Sequence, residues 1–354
     1  MTPDLGMIEG RFGRIWNEDE RGYVVKALAG AGYDFYHYGP KADAALRRQW
    51  RISHDAAQTE MLRRLSAQVR ASGMRFGIAL TPVGSTHPFD EQTRADLTRR
   101  LAEIDAIGVD DLAILFDDLR GDMPDLAARQ AQVVNFCAAQ TRATRVYTCP
   151  TYYADDRLLD LVFGERPATY LADLGRLLDP GVQVHWTGEE VCSRAIDSAH
   201  LERVAGELGR PVCLWDNYPV NDGARMSRFL HLRAFTGRSA DIAPHITGHA
   251  INPAIQAHLG CIPALTLPML YRQDRHYAYG AAFGEAARLL LGDDLAAMVQ
   301  EDILIFQDVG HERLGLRADR LRARYQGIDH PAARDIMRWL AGDDLMTDDD
   351  VQTQ

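Results

Sequence analysis

The stretch Leu112–Asp122, LAILFDDLRGD, sets five apolar residues in succession and follows them with two adjacent carboxylates, Asp117 and Asp118. A short unbroken apolar run reads as a strand buried on both faces, the kind found in parallel sheets. A single Asp after a strand is ordinarily a turn former or a helix N-cap. Two together are less ordinary, because like charges beside a dry core cost free energy unless something uses them.

Working outward, the same kind of run recurs along the chain: GMIEG from Gly6, FYHYG from Phe35, RFGIALT from Arg75, RVYTC from Arg145, VQVHW from Val182, VCLWD from Val212 and HITGHAI from His245. Helical patterns separate them. In Asp90–Gly108, Leu97, Leu101, Ile104 and Ile107 recur at spacings of three and four, and Gly108 can end the helix. Ser53–Gly73 and Met123–Gln140 read the same way. Eight strand–helix units within roughly 270 residues fit an α/β fold of the TIM (β/α)8 type, with the active site at the strand C-termini. A doubly wound open sheet is the rival, but no GxGxxG turn follows the first strand. From about Asn252 to Gly342 the pattern is helical throughout, so a C-terminal helical region follows the barrel. The expected divisions are a catalytic barrel over 1–275, a helical extension over 276–342 and a frayed acidic tail over 343–354.

Composition narrows the function. The 354 residues carry a formal net charge of −11 and no basic stripe, which argues against nucleic acid and anionic membrane as partners. No run approaches the roughly 18 apolar residues of a membrane helix. The first residues, MTPDLGMIEGRFGR, lack the pattern of a secretory leader, and the expected location is the cytoplasm. Cys137, Cys149, Cys192, Cys213 and Cys261 have no paired spacing and read as buried thiols. His245 and His249 are four apart, but on a strand that spans about 13 Å, too far to share an ion. With His37 and His185 they read as structural histidines, and no metal or cofactor is expected.

A barrel makes a test possible, because functional groups should collect at strand ends. They do: Glu9 and Gly10, then Lys41, Asp117 and Asp118, Thr151 and Tyr153, Trp186, the group Trp215, Asp216, Asn217 and Asp222, and Asn252. Each alone has a plain structural explanation as a turn residue, solvated lysine or core aromatic. Hydrogen-bonding groups and aromatics in one ring suit a sugar, with hydroxyls at its rim and apolar C–H faces for stacking.

In combination, IEGRFGR, YGPKAD with QWR, ILFDDL, CPTYY, WTGEEVCS, WDNYPVNDG and INP, in this order over roughly residues 6 to 255, resemble glycoside hydrolase family 84, the β-N-acetylglucosaminidases that include protein O-GlcNAcase and bacterial hyaluronidase-like enzymes. The resemblance implies a retaining exo-hydrolase of terminal β-linked GlcNAc, in which the sugar's own 2-acetamido oxygen is the nucleophile and an oxazoline the intermediate. By motif position, Asp117 would accept the acetamido N–H and Asp118 would be the general acid and then base. Gly10 would approach the sugar through its backbone, while Lys41 and Asn252 would hold ring hydroxyls. Tyr153 would donate to the acetamido oxygen, Trp215 would wall the acetyl pocket beside Asn217, and Asp222 would hold distal hydroxyls. Arg11 and Phe12 stand where the family commonly carries two aromatics, and Tyr152 where an acid is common, which bears on leaving-group preference.

The implied partner is a GlcNAc-containing glycoside or glycoprotein, and the C-terminal helices are candidates for pairing two copies. Other classes are a GlcNAc-binding barrel without catalysis, whose mark would be loss of Asp118, and a metal-dependent hydrolase, which lacks further well-spaced ligands.

Overall fold

In the computed structural model, which describes residues 2–86 and 89–351, eight parallel strands close a barrel in chain order. The strands are β1 (Asp4–Glu9), β2 (Phe35–Tyr38), β3 (Arg75–Leu80), β4 (Asp111–Leu115), β5 (Arg145–Cys149), β6 (Gln183–Trp186), β7 (Val212–Asp216) and β8 (Ile246–Ile251). Closure is made by β8 pairing with β1, Gly248 opposite Asp4 and Ile251 opposite Met7. Parallel strands need covered crossovers, and helices supply them. They are α1 (Glu18–Ala31), α2 (Ala56–Ala71), α3 (Glu91–Ile107), α4 (Leu126–Gln140), α5 (Arg157–Phe163), α6 (Tyr170–Leu177), α7 (Ser198–Leu208), the short α8 (Gly223–Met226) and α9 (Cys261–Gln273). The fold is the expected TIM barrel followed by a C-terminal helical region.

Local chemistry explains the boundaries. Asn17 and Glu20 form a reciprocal capping box that starts α1, and Asp55, Asp90 and Asp197 cap α2, α3 and α7. Helix α2 therefore begins at Ala56 instead of near Ser53. At the other end of the sheet, His245 closes a short 3-10 turn and the last strand starts one residue later.

The barrel's N-terminal mouth is closed by paired charges. Asp4 takes Arg75 at 3.1 Å and Arg145 at 2.6 Å, and buried Asp111 takes Arg75 at 3.2 Å and His37 at 3.0 Å. Above them Tyr147 stacks on His185 with centroids 5.3 Å apart, and His185 meets Trp215 edge-on at 5.4 Å. Burial lowers the His185 pKa to about 3, so a neutral imidazole supports the floor of the upper cavity. His249 lies between Asp216 and the Tyr271 hydroxyl, and all three of these histidines are structural as expected.

The C-terminal region consists of α10 (Tyr279–Leu304), broken at Gly292, α11 (Arg317–Tyr325) and α12 (Pro331–Ala341). It is latched to the barrel. Asp335 of α12 is fully buried and accepts the backbone N–H groups of His258 and Leu259, with Arg338 at 3.0 Å.

Two expectations are overturned here. The acidic segment expected to fray is anchored as far as Met346: Asp344 is buried against Arg338 and Gln256, and Met346 is buried, its N–H donating to the Ser227 hydroxyl. Paired charge and a buried thioether outweigh the segment's polarity. Among the cysteines, Cys137, Cys149, Cys213 and Cys261 are buried, but Cys192 is exposed, because it lies on the loop after β6 and not in a strand or helix.

Candidate active site

A cavity of about 220 Å³ opens at the C-terminal ends of the strands. Gly10, Lys41, Asp117, Asp118, Tyr153, Trp215, Asn217, Asp222 and Asn252 all line it, so the nine positions to which the family resemblance assigned site roles lie in one place. They come from the ends of β1, β2, β4, β5, β7 and β8, which explains why no two distant ones could be joined by spacing alone.

The carboxylate pair is built asymmetrically. Asp117 continues β4 and is 6% exposed, and Lys41 Nζ donates to its Oδ2. Its Oδ1 is buried and accepts no hydrogen bond among the described residues. Asp118 lies one step further out with φ at 62°, the left-handed region, which Asp tolerates better than most residues but which still stores strain. That turn lets both carboxylates border one cavity, where neighbouring extended residues would send them to opposite faces. Asp118 Oδ1 accepts the Tyr153 hydroxyl at 3.2 Å, and its Oδ2 is 3.8 Å from Lys41 Nζ.

The electrostatics follow from this placement. Burial holds the Asp118 carboxyl above the usual range, Lys41 opposes that, and the Asp117 charge reinforces it. Burial also raises the Tyr153 phenol well above its ordinary value, with Asp118 adding to it, so the hydroxyl stays a donor. One member of the pair is therefore biased toward holding a proton, while the other is held beside an ammonium group.

Opposite the pair, amide side chains form a chain. Asn217 Oδ1 accepts from Trp215 Nε1 at 3.1 Å and from Asn252 Nδ2 at 3.0 Å, and its Nδ2 donates to the Val191 carbonyl at 2.8 Å. Asn252 Oδ1 is buried and takes no donor among the described residues. Two buried acceptors, one on Asp117 and one on Asn252, thus border the same cavity, and buried acceptors of this kind ordinarily have partners. Asp222 accepts the Phe12 N–H at 2.9 Å, and burial raises its pKa.

Gly10 has a reason the sequence did not show. A Cβ there would lie 2.4 Å from Trp215 Cζ2, so the glycine makes room for the indole face. Of the three departures noted above, only Phe12 lines the cavity. Arg11 lies under the loop, donating to the Phe12 and Arg14 carbonyls with its guanidinium over Trp16. Tyr152 turns away and donates to the Gly164 carbonyl.

Some strand-end residues are structural. Glu9 is held by Arg21 and Tyr36, and Thr151 by Gln130 and the Phe116 carbonyl. Trp186 is fully buried with its Nε1 on His200, so it belongs to the core and not to the ring of site aromatics. Burial alone would raise the pKa of Asp216, but Arg238 and His249 hold it at about 2, and it braces β7 from behind.

Other walls are Cys149, Thr187, Val191, Cys192, Val220, Gly223 and Val351. All but Val351 lie inside CPTYY, WTGEEVCS or WDNYPVNDG, yet nothing in their residue types marks them. Among the described residues, Glu20, His258 and Asp335 converge as a metal site would, but Arg14 already engages Glu20 and Arg338 engages Asp335.

Comparison with known proteins gives a consistent result. Residues 5–307 match the model of a family described as beta-N-acetylglucosaminidase. Protein O-GlcNAcase of Rattus norvegicus and that of Mus musculus are each 28% identical over 283 residues, covering 76% of this chain. The chain spans 30% of the length of these relatives. Among solved structures, a mutant of an O-GlcNAc hydrolase from Thermobaculum terrenum superposes with a TM-score of 0.79 at 26% identity, covering 95% of this chain and 80% of that one.

Proposed function

Because the chain belongs to the beta-N-acetylglucosaminidases of glycoside hydrolase family 84, we propose that it is a retaining exo-β-N-acetylglucosaminidase acting on terminal β-linked GlcNAc, including GlcNAc on proteins. The observation that carries this is the unequal pair: Asp117 with a free buried oxygen and an ammonium at its back, Asp118 raised in pKa beside it.

In the first step Asp117 Oδ1 accepts the acetamido N–H, which makes the acetyl oxygen more nucleophilic. That oxygen bonds to the anomeric carbon as the glycosidic C–O bond breaks, and Asp118 gives its proton to the leaving oxygen. In the second step Asp118 takes a proton from water, whose oxygen attacks the anomeric carbon and reopens the oxazoline. Two inversions give retention. The nucleophile is already attached, so most of the entropy cost of bringing reactants together is avoided. The separation of the carboxylates carries no stereochemical message in such substrate-assisted enzymes. Tyr153 would donate to the acetyl oxygen, Trp215 and Asn217 would enclose the acetyl group, and Lys41, Asn252 and Asp222 would bind ring hydroxyls.

Release of 4-nitrophenol from its β-N-acetylglucosaminide tests this directly. Asp117→Asn and Asp118→Asn should each lower the rate by about 10²- to 10⁴-fold, and EDTA should leave the wild type unchanged. A wild type that binds the sugar without turnover would favour the binding-barrel alternative.

The cytoplasm is the proposed location; no helix among the described residues is long and apolar enough to cross a membrane. Pairing of two copies through the C-terminal region is supported by the exposure there of Leu289, Leu304 and Leu316. Sedimentation showing only monomer at micromolar concentration would contradict it.

A further inference from the structure

The cavity does not end at its own walls. Phe12 and Lys41 are shared with a second groove of about 300 Å³, whose other sides include Arg47, Arg48, Asp349 and Asp350. The same short segment that contributes Asp349 and Asp350 also places Val351 in the wall of the sugar cavity. Its root is fixed: Met346 sulfur lies 3.3 Å from the Gly223 N–H, in the loop that carries Asp222. A closed pocket accepts one terminal sugar, so whatever is attached to that sugar must leave through a passage continuous with it. The groove that shares Phe12 and Lys41 with the cavity lies beside it and is the candidate for that passage. In a chain of net charge −11 its lining brings Lys41, Arg47 and Arg48 into one groove with two carboxylates, Asp349 and Asp350.

We infer that the groove is a subsite for an acidic aglycone, such as a peptide with Asp or Glu beside the glycosylated residue, and that Thr347–Val351 is its resident competitor. This rests on the glycosidase reading above. A tethered segment acts at a high effective concentration, so it can hold off a ligand of similar chemistry without binding tightly itself. The site would then discriminate among substrates by how well their flanking charges displace the segment, while a small aglycone that does not reach the groove passes it.

The test compares the full chain with one ending at Met346, which keeps the buried anchor. Substrates are 4-nitrophenyl β-N-acetylglucosaminide and two GlcNAc-serine peptides, one flanked by Asp and one by Ala. Truncation should raise kcat/KM for the acidic glycopeptide about tenfold more than for the Ala-flanked one, while the aryl glycoside reports separately on the loss of Val351 from the sugar cavity. A synthetic Thr347–Gln354 peptide should bind the truncated chain, more weakly at high salt and more weakly still with Arg48→Ala. Absence of peptide binding, or an unchanged preference between the two glycopeptides, overturns the inference. Peptide binding is read without turnover, so the two failures are distinct: loss of activity on every substrate would fell the glycosidase reading and with it the aglycone role, whereas absent peptide binding in an active enzyme would fell this inference alone.

Discussion

Asp118 is the residue on which most of the proposed chemistry converges, and its environment makes two opposite demands. Burial and the Asp117 charge raise its pKa, so its ionised form destabilises the folded state relative to the unfolded chain, where its pKa is lower. The sign is therefore fixed: stability falls as pH rises from the unfolded value through the folded one. Asp118→Asn should raise the Tm at pH 7, and the gain should vanish at acid pH, where the native carboxyl is already protonated; a Tm that drops at pH 7 would show that the carboxylate is stabilising. Lys41 works in the other direction. Removing it leaves Asp117 buried without its ammonium partner, so Lys41→Ala should cost about 3–5 kcal/mol by denaturant unfolding. It should also move the alkaline limb of the pH–rate profile upward, since a charge that lowers the Asp118 pKa is gone. Gly10→Ala would force the Trp215 ring aside, for a loss of about 1–3 kcal/mol and a raised KM. The importance of Gly10 was visible in its motif, but its cause was not, because the ring that demands it arrives from β7, some two hundred residues later.

At the scale of elements, alternation carried the fold. Each strand is a short apolar run with a helical pattern after it, and eight such units leave few arrangements. Local rules were enough because strand order equals chain order. They failed where partners are remote. Trp186 looked like a site aromatic at a strand end, but its side chain points out toward α7, where His200 takes its N–H. Segment 343–346 looked frayed because charge and polarity give no local reason to be ordered; its order comes from Arg338, Gln256 and Ser227. The latch between α12 and the barrel is of the same non-local kind. Asp335→Ala would leave two backbone N–H groups and Arg338 without their acceptor, and thermal unfolding should show a loss of about 3–5 kcal/mol. A change below 1 kcal/mol would mean that the helical region and barrel are not coupled there.

For the molecule as a whole, a rigid parallel barrel closed below by paired charges presents loops above that can be altered without disturbing the core. The nine residues picked out by motif position all border one cavity, whereas Glu9, Thr151, Trp186 and Asp216, read only as strand ends, do not, so the ring of the site was legible from motifs more than from strand ends alone. Its apolar walls were not, because Val191, Val220 and Val351 resemble any other loop residue until the loops are folded over. The central claim is that the substrate supplies its own nucleophile while this chain supplies an unequal pair of aspartates. It is tested most directly by kcat/KM on 4-nitrophenyl glucosaminides whose N-acyl group is acetyl, fluoroacetyl, difluoroacetyl or trifluoroacetyl. Fluorine withdraws electron density from the attacking oxygen, so the rates should fall steeply and monotonically along the series. Rates that stay level would mean that the acetamido oxygen does not attack, and would contradict the account.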